Sequence, residues 1–353
     1  MAKSAEPTHT FTFADLFAGI GGMRFAFEEW GGACTLTSEI DKHAHVTYAA
    51  QKWTREHPNH RYVHDVIELA ELSKNVIPQF DVLVAGFPCQ PYSIAGLRQG
   101  LHDEKGRGQV FLSMLDILQK KEPKAFLLEN VKGLQSHDDG ETLKYMVQEL
   151  EKCGYQVLEP TVLNSMTHGG VPQNRERLFI VGFHKKKVGK VESVKAGENP
   201  LGVSSKVFMW PKEKKMTTTL IDVLDKEDVP EKYFYTAEKY ECFEEIKEVA
   251  TKPGVAYQWR RVYVRENKSG VCPALTANMG SGGHNVPLVN MKGKIRKLTP
   301  IECARLQGFP LTGRKKFTFP DGMADARLYH QFGNSVTVPL ISRLAGEISK
   351  LIV

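Results

Sequence analysis

The stretch Phe-Thr-Phe-Ala-Asp-Leu-Phe-Ala-Gly-Ile-Gly-Gly, residues 11–22, decides the fold of this 353-residue chain. It begins as a short β-prone run, Phe11–Phe17, and ends in a glycine-rich turn, after which residues 23–30 are typical of a helix. A strand that enters a helix through such a turn lets the backbone approach a ligand closely. In open α/β folds, ligands bind at the carboxyl ends of the strands.

Strand-like and helix-like segments continue to alternate along the first two hundred residues. The pattern predicts further strands at Cys34–Ile40, Arg61–Val66, Phe80–Gly86, Ala125–Leu128 and Arg177–Phe183, with Gln156–Leu163 before the last of them. It predicts helices at His43–Lys52, Val110–Lys120 and Glu141–Cys153, and two late helices at Arg296–Gln307 and Pro339–Ile352. Strands alternating with helices favour an α/β fold with a doubly wound sheet.

The composition indicates a globular protein of more than one unit. Hydrophobic residues make up 41% and charged residues 25%, which excludes a disordered tail, a fibre and a collagen-like chain. A single core stops growing near about 250–300 residues, so two domains, or one with a large insertion, are expected. The composition shifts at His184, and residues 185–295 predict a second, smaller domain.

Charge and hydropathy limit the possible environments. The excess of 47 Lys and Arg over 41 Asp and Glu gives a net charge of +6, which is compatible with a polyanionic partner. No run approaches the roughly 18 apolar residues of a membrane span. The first ten residues lack an apolar signal core, so we expect neither export nor membrane insertion.

An acidic residue follows the glycine-rich turn at an informative interval. Glu39 lies 20 residues after Gly19 (39 − 19), at the end of the second predicted strand, where a carboxylate can accept hydrogen bonds from ribose hydroxyls. Asp65 ends the third strand and could receive an adenine amino group. The spacing departs from the full dinucleotide fingerprint, so a ligand with one adenosine and no pyrophosphate fits better. A glycine-rich turn that is only a turn remains the alternative.

One of the six cysteines stands out. None of them is two or three residues from another, so reduced, mostly buried thiols are expected for five. Cys89 differs because Pro88 and Pro91 bracket it in a loop after the most apolar strand, a setting that favours exposure and reactivity. Glu129 ends the following strand and should emerge beside Cys89, where a carboxyl group suits proton transfer.

The segment Gln173-Asn174-Arg175-Glu176-Arg177 adds a set of donors. Strand alternation places Gln173, Arg175 and Arg177 on one face, suited to binding phosphate or to holding Glu129. A solvated strand edge is the alternative for this segment.

These motifs together resemble those of the DNA (cytosine-5)-methyltransferases of bacterial restriction–modification systems. The resemblance runs nearly end to end, through Asp15–Gly22, Ser38–Asp41, Gly86–Ser93, Glu129–Val131, Gln173–Arg177, Arg296–Pro310 and Gln331–Pro339. It implies a Rossmann-like methyltransferase sheet with a smaller target-recognition domain. The catalytic domain would comprise residues 1–184 plus 328–353, closed by the C-terminal helix, and residues 185–327 would form the recognition domain and hinge.

The resemblance also implies roles for single residues. Cys89 would add to C6 of a flipped-out cytosine, Glu129 would contact N3 and the amine, Arg175 would support the base, and Arg177 would brace the site. Gln90, Ser93 and Gln173 would contact DNA. The methyl donor S-adenosylmethionine, which leaves as S-adenosylhomocysteine, would be held without a metal by Phe17, Gly19, Ile20, Gly22, Glu39, Asp65, Val66, Pro88, Asn334, Ser335 and Val336.

The resemblance implies that the partner is double-stranded DNA, and that the enzyme binds it as a monomer in the bacterial cytoplasm. A possible cognate restriction endonuclease would act separately. Two departures are visible: Ala274 stands where members often have threonine, and Ile40 where some have an aromatic residue. A tRNA-methylating relative, an inactive DNA-binding relative and a small-molecule methyltransferase are the alternatives. The intact Pro-Cys-Gln and Glu-Asn-Val motifs argue against the inactive relative.

Overall fold

The structure is a computed structural model that describes residues 9–52, 60–88, 107–195, 198, 206–227 and 229–353. Its strands are β1 (Phe11–Leu16), β2 (Gly32–Ser38), β3 (Arg61–Val63), β4 (Val82–Gly86), β5 (Ala125–Val131), β6 (Tyr155–Val157), β7 (Thr161–Asn164), β8 (Gln173–Asn174), β9 (Glu176–His184), β10 (Glu192–Val194), β11 (Val207–Met209), β12 (Ala256–Trp259), β13 (Val264–Glu266), β14 (Cys272–Pro273), β15 (Leu288–Met291) and β16 (Lys294–Lys297). Its α-helices are α1 (Gly22–Glu29), α2 (Lys42–Ala49), α3 (Val66–Glu71), α4 (Arg107–Lys121), α5 (Glu141–Lys152), α6 (Leu220–Val223), α7 (Phe243–Val249), α8 (Pro300–Leu306), α9 (Asp325–Asn334) and α10 (Val338–Ile352).

Eight of the strands in the described part of the chain form the main sheet, in the order β3-β2-β1-β4-β5-β9-β6, with β7 also paired to β9. Strands β1 to β5 are parallel, and β9 runs antiparallel to β5, β6 and β7. The strand order reverses between β1 and β4. A crevice therefore opens there, at the carboxyl ends of the parallel strands.

Helices cover both faces of this sheet, which explains why the central strands are apolar on both sides. On one face, Phe13 and Val84 belong to a buried cluster that includes α1 and α10. On the other face, Leu83 and Phe126 pack with residues of α3, α4 and α5. The doubly wound α/β fold expected from the sequence is confirmed.

The C-terminal helix α10 packs against α1. Trp30 Nε1 donates to Ser342 Oγ at 3.0 Å, and a Cβ at Gly346 would lie 2.6 Å from the Trp30 ring. The two ends of the chain thus meet on one face of the main sheet.

A second, antiparallel sheet has the order β13-β12-β15-β16. It packs with α7 around a small core that contains Tyr235, Ile246, Tyr257, Leu288 and Ile295. The short pair β14–β8 then joins residues 272–273 to residues 173–174 beside the main sheet.

The structure corrects two predicted elements. Arg296 lies in β16 rather than in a helix, because Thr299 caps α8 and its Glu302 completes a capping box, so the helix begins at Pro300. The predicted segment Gln156–Leu163 is split into β6 and β7 around Pro160, which lacks the N–H that a continuous ladder needs.

Candidate active site

A cavity of about 630 Å³ lies at the carboxyl ends of the parallel strands. Each of the five strands β1 to β5 contributes to its lining at or just after its last residues, through Phe17, Glu39, Asp65, Pro88 and Glu129. Residues near the end of α9 close another side, among them Gln331 and Asn334. The parallel sheet thus brings together side chains that are far apart in the sequence.

Ten of the residues expected at the site line this cavity: Phe17, Gly19, Glu39, Asp65, Val66, Pro88, Glu129, Arg175, Arg177 and Asn334. Ile20, Gly22, Ser335 and Val336 are buried outside the lining. Cys89, Gln90 and Ser93 lie outside the described residues, which end at Pro88 on this side of the loop.

The turn after β1 shapes one wall of the cavity. Phe17 and Gly19 both have positive φ, 57° and 55°, and a Cβ at Gly19 would meet no atom of the described residues within 4 Å. Gly22 has a different part in the structure: its Cβ would lie 2.8 Å from Val336 Cγ2 and 3.1 Å from Ser335 Oγ. Gly22 therefore permits close packing of α1 on residues 335–336.

Two backbone amides fix the carboxylate of Glu39. Its Oε2 accepts from the Gly19 N–H at 2.7 Å, and its Oε1 accepts from the Asp41 N–H at 2.7 Å. The Tyr62 hydroxyl donates to the Glu39 carbonyl. Burial raises the pKa of Glu39 against the opposing effect of these amides. Each oxygen can still accept another hydrogen bond from a ligand in the cavity.

Asp65 caps the next helix. Its Oδ1 accepts from the Ile67 N–H at 2.9 Å, which places the carboxylate at the N-terminus of α3 and at the cavity edge. A fixed carboxylate in this position can receive an amino group.

The end of β5 supplies Glu129 and a neighbour that the sequence reasoning gave no role. Glu129 is 8% exposed, and its Oε1 lies 3.0 Å from Arg177 Nε. Asn130 Nδ2 donates to the Phe87 carbonyl at 3.2 Å, while its Oδ1 accepts from the Val131 N–H. Asn130 thereby holds the strand end that leads to Pro88. The position of Asn130 inside the Glu-Asn-Val motif would have allowed it to be predicted as a site residue.

The donors of residues 173–177 do not form one fork. Arg177 is bonded to Glu129, whereas Arg175 is buried and donates to three carbonyls: Leu275 at 2.8 Å, Gly333 at 3.0 Å and Ser335 at 2.6 Å. Burial, with Arg177 nearby, lowers the pKa of Arg175.

Gln173 takes a position that differs from the expected DNA contact, because its side chain is fully buried. It donates to the Leu306 carbonyl at 2.9 Å and accepts from the Leu275 N–H at 3.1 Å. Gln173 thus links β8 to α8 and to residue 275, and its amide faces protein rather than solvent.

The lining also includes His64, His330 and Gln331, which the sequence reasoning left out. His330 Nδ1 lies 3.9 Å from Asp41 Oδ2, and Gln331 Oε1 accepts from Thr47 Oγ1 at 2.8 Å. These contacts join α9 to α2 and to Asp41, which caps α2. Gln331 opens the last matched motif, Gln331–Pro339, so it could have been found from that motif.

Within the described ranges, no group of three or more His, Cys, Asp or Glu side chains is arranged to hold a metal ion. In the same part of the chain, no helix is long and apolar enough to cross a membrane.

The main sheet and its covering helices have the Rossmann-like fold of the S-adenosylmethionine-dependent methyltransferases. Solved structures with this fold include a Spodoptera frugiperda DNMT2 mutant, with a TM-score of 0.67 and 21% identity over 95% of this chain and 98% of that one. A Schizosaccharomyces pombe Dnmt2 methyltransferase also has a TM-score of 0.67, with 19% identity over 97% and 98% of the two chains.

Sequence comparison defines the family. Residues 11–350 match the C-5 cytosine-specific DNA methylases, and the chain belongs to that family of DNA cytosine methyltransferases. It is 41% identical to the type II methyltransferase M.Bsp6I of Bacillus sp. (strain RFL6), over 96% of this chain and 98% of that protein. It is 38% identical to the type II methyltransferase M.HpaII of Haemophilus parainfluenzae, over 96% and 89%. The family expected from the motifs is confirmed.

Proposed function

We propose that this enzyme transfers a methyl group from S-adenosylmethionine to C5 of a flipped-out cytosine in a specific sequence of double-stranded DNA. The observation that carries the proposal is the placement of Glu129, held by Arg177, in the same cavity as Phe17, Glu39 and Asp65. One cavity can therefore take both the methyl donor and a base. A cytosine inside a duplex is out of reach, so it must leave the stack, at a cost of a few kcal/mol.

The cavity fits the methyl donor on several observations. Among the described residues nothing lies where a Cβ on Gly19 would be, so ligand atoms can approach its backbone. Glu39 presents fixed acceptors for ribose hydroxyls, Asp65 offers an acceptor for the adenine amino group, and Phe17 offers an aromatic face. Val66, Pro88 and Asn334 complete the lining on this side. When bound, S-adenosylmethionine supplies an electrophilic methyl carbon attached to a sulfonium.

The proposed chemistry is covalent catalysis by Cys89. The thiolate adds to C6 of cytosine, and the ring electrons move to C5, which becomes nucleophilic enough to take the methyl group. Glu129 donates a hydrogen bond or proton at N3 as negative charge develops there. Loss of the C5 proton and elimination of the thiolate then restore the aromatic ring.

The contacts favour an exchange of the two arginine roles implied by the resemblance. Arg177 touches Glu129 and has a side chain that is 18% exposed, so it can support the base. Arg175 donates to three carbonyls, so its guanidinium braces the surrounding backbone.

We further propose the domain division 1–184 plus 328–353 for catalysis and 185–327 for target recognition. The packing of α10 on α1 supports a catalytic domain made from both ends of the chain. The hairpin between β12 and β13 supports a DNA-facing role for the second unit. Its tip exposes Val262 at 89% and Tyr263 at 60%, next to Arg260 and Arg261. Cationic groups suit phosphates, and exposed apolar groups suit base edges.

The biological role that fits is protection of host DNA from a cognate restriction endonuclease, by a monomer in the bacterial cytoplasm. Support comes from relatives named type II methyltransferases that match this chain over nearly its whole length.

Trapping on duplex DNA that contains 5-fluorocytosine tests the mechanism, since fluorine at C5 blocks the final elimination. The wild-type enzyme with S-adenosylmethionine should form an adduct seen by mass spectrometry, and Cys89→Ala should form none. Cys153→Ala, which removes a half-buried thiol elsewhere, is the matched control and should keep the adduct. Bisulfite sequencing of methylated random-sequence DNA would give the target. An active preparation without an adduct, or an adduct in Cys89→Ala, would refute the mechanism.

A further inference from the structure

Arg175 joins two segments that belong to different parts of the proposed reaction. Its Nη1 donates to the carbonyl of Leu275, which follows β14 in the unit proposed to read DNA. Its Nη2 donates to the carbonyls of Gly333 and Ser335, at the end of α9 on the cofactor side of the cavity. The side chain is 2% exposed, so water cannot readily take over these bonds.

Two glycines bring the same two segments into direct contact. A Cβ on Gly333 would lie 2.2 Å from the Thr276 carbonyl carbon and 2.3 Å from the Ala277 nitrogen. A Cβ on Gly280 would lie 2.8 Å from Tyr329 Cβ. The 3-10 turn Ala277–Ser281 therefore packs closely against α9, and a shift of one displaces the other.

Helix α9 also faces the cavity, through His330, Gln331, Gly333 and Asn334. A ligand that occupies the cavity therefore restrains the helix on which the 3-10 turn rests.

Through Asn278, the 3-10 turn also connects to the exposed β12–β13 hairpin. Asn285 Nδ2 donates to Asn278 Oδ1 at 3.2 Å, and Arg260 Nη1 reaches Asn285 Oδ1 at 3.4 Å. A continuous set of contacts thus runs from the arginine-rich tip to the cavity wall.

We propose that Arg175 is a positioning residue that couples the two ligands, so that the cofactor and DNA strengthen each other's binding. The inference rests on the proposed function, because it requires DNA to engage the second unit. When one ligand immobilises its side of this contact, the other ligand has less motion to restrict, which gives positive cooperativity. The effect must be reciprocal, since coupling is a property of the two-ligand equilibrium.

The test measures the coupling factor, the ratio of the S-adenosylhomocysteine Kd without DNA to that with saturating duplex bearing the target sequence. We expect a factor of about 5 to 150 for the wild type. Arg175→Lys keeps a cation but loses the fork that holds both segments, so its factor should fall toward 1. Taking a ratio within each variant removes any direct effect on cofactor affinity.

The chain offers a matched control in Arg343, whose Nη1 also clasps two carbonyls, those of His168 at 2.6 Å and Lys212 at 2.8 Å. Arg343→Lys should keep the wild-type factor. Gly280→Ala separates the 3-10 turn from α9 at a point outside the cavity, so its coupling factor should fall toward 1. This variant replaces Arg175→Lys in the test if Arg175→Lys fails to fold. A wild-type factor of 1, or an unchanged factor in the Arg175 and Gly280 variants, would overturn the inference. A wild type that methylates no DNA would instead overturn the proposed function.

Discussion

Arg177 Nε lies 3.0 Å from Glu129 Oε1, across the antiparallel pair β5–β9. Phe179 stands directly opposite Glu129 and Val131 opposite Arg177, so the two charged side chains are diagonal neighbours on one face of the sheet. Both are mostly buried, with 18% and 11% of their side chains exposed. The pair therefore sets the direction of a carboxylate that the proposed mechanism needs.

Removal of this contact should impair methyl transfer more than cofactor binding. Arg177→Ala should lower kcat by about 10²–10³-fold, because Glu129 loses its orientation and its partner charge. Arg177→Lys should retain more activity. Single-turnover transfer of labelled methyl groups and calorimetric binding of S-adenosylhomocysteine would measure the two effects.

A neighbouring ion pair provides the control for Arg177. Lys132 Nζ lies 3.0 Å from Glu176 Oε1, but those side chains are 55% and 43% exposed. Lys132→Ala should change kcat only a few-fold. Equal losses in Lys132→Ala and Arg177→Ala would contradict a specific role for Arg177.

Glu39→Gln tests the cofactor side of the cavity. The amide can accept through one oxygen only, so either the Gly19 or the Asp41 N–H loses its partner and the ribose acceptor is weakened. We expect the Kd for S-adenosylhomocysteine to rise about 10–100-fold, in line with roughly 1.5–3 kcal/mol for a charged hydrogen bond. Glu141→Gln, at an exposed helix end, is the control and should leave that Kd unchanged. If Glu39→Gln also leaves the Kd unchanged, Glu39 does not bind the ribose.

The strand-end residues could be predicted because their positions depend on local sequence. Glu39 directly follows β2 and Glu129 lies near the end of β5, and the carboxyl ends of parallel strands meet at one edge whatever the intervening residues. The neighbours of Arg175 could not be predicted in this way. Its partners Leu275 and Gly333 lie 100 and 158 residues away, and no periodicity in residues 173–177 refers to them.

Alternation was misleading at residues 173–177 for a physical reason. Gln173 belongs to β8, which pairs with β14, whereas Arg177 belongs to β9 in the main sheet. Arg175 lies between the two strands, so the period of two does not run through it. The start of α8 was predicted four residues too early, at Arg296, although the capping-box spacing of Thr299 and Glu302 marks the true start at Pro300.

The arginine-rich hairpin tip should contribute to DNA binding. Arg261 has positive φ and an exposed side chain. If Arg261 contacts a phosphate, Arg261→Ala should weaken DNA binding. It should also reduce the slope of the log of the DNA-binding constant against the log of the salt concentration by about 1. Tyr263→Ser should alter the set of methylated sequences. Lys268→Ala removes an exposed charge nearby and is the control. Fluorescence anisotropy at several salt concentrations would measure DNA binding, and bisulfite sequencing would give the methylated sequences. If neither effect occurs, the hairpin does not take part in target recognition.

The buried pair Arg296–Glu302 should matter for stability. The two side chains are 1% and 0% exposed and 2.6 Å apart, and Glu302 also accepts from the Thr299 and Asp225 backbone amides. Glu302→Ala leaves the buried Arg296 guanidinium and two backbone amides without this partner. The free energy of unfolding should therefore fall by about 3–5 kcal/mol. Thermal unfolding should show a clear drop in Tm. The pair of Glu347 with Lys350, whose side chains are 22% and 60% exposed, is the comparison, because Glu347→Ala should cost under about 1 kcal/mol of unfolding free energy.

Asp15 should make stability depend on pH. It is fully buried, and burial raises its pKa to about 8 despite the nearby Arg24 guanidinium and a hydrogen bond from the Arg24 backbone. Glu39 and Glu28 also act to raise it. In the unfolded chain the pKa is near 3.9, so between about pH 4 and 8 the folded protein keeps a proton that the unfolded chain releases. The stability from this group is therefore present at low pH and lost as pH rises through 8.

Asp15→Asn isolates this effect because the amide resembles the protonated acid and does not titrate. Relative to Asp15→Asn, the wild type should lose roughly 3 kcal/mol of unfolding free energy between pH 6 and pH 9. Denaturant unfolding of both proteins at each pH would measure the difference, in which groups that titrate equally in both cancel. A difference that stays constant with pH would mean that Asp15 is ionised in the folded protein, and Arg24 would then have to neutralise it.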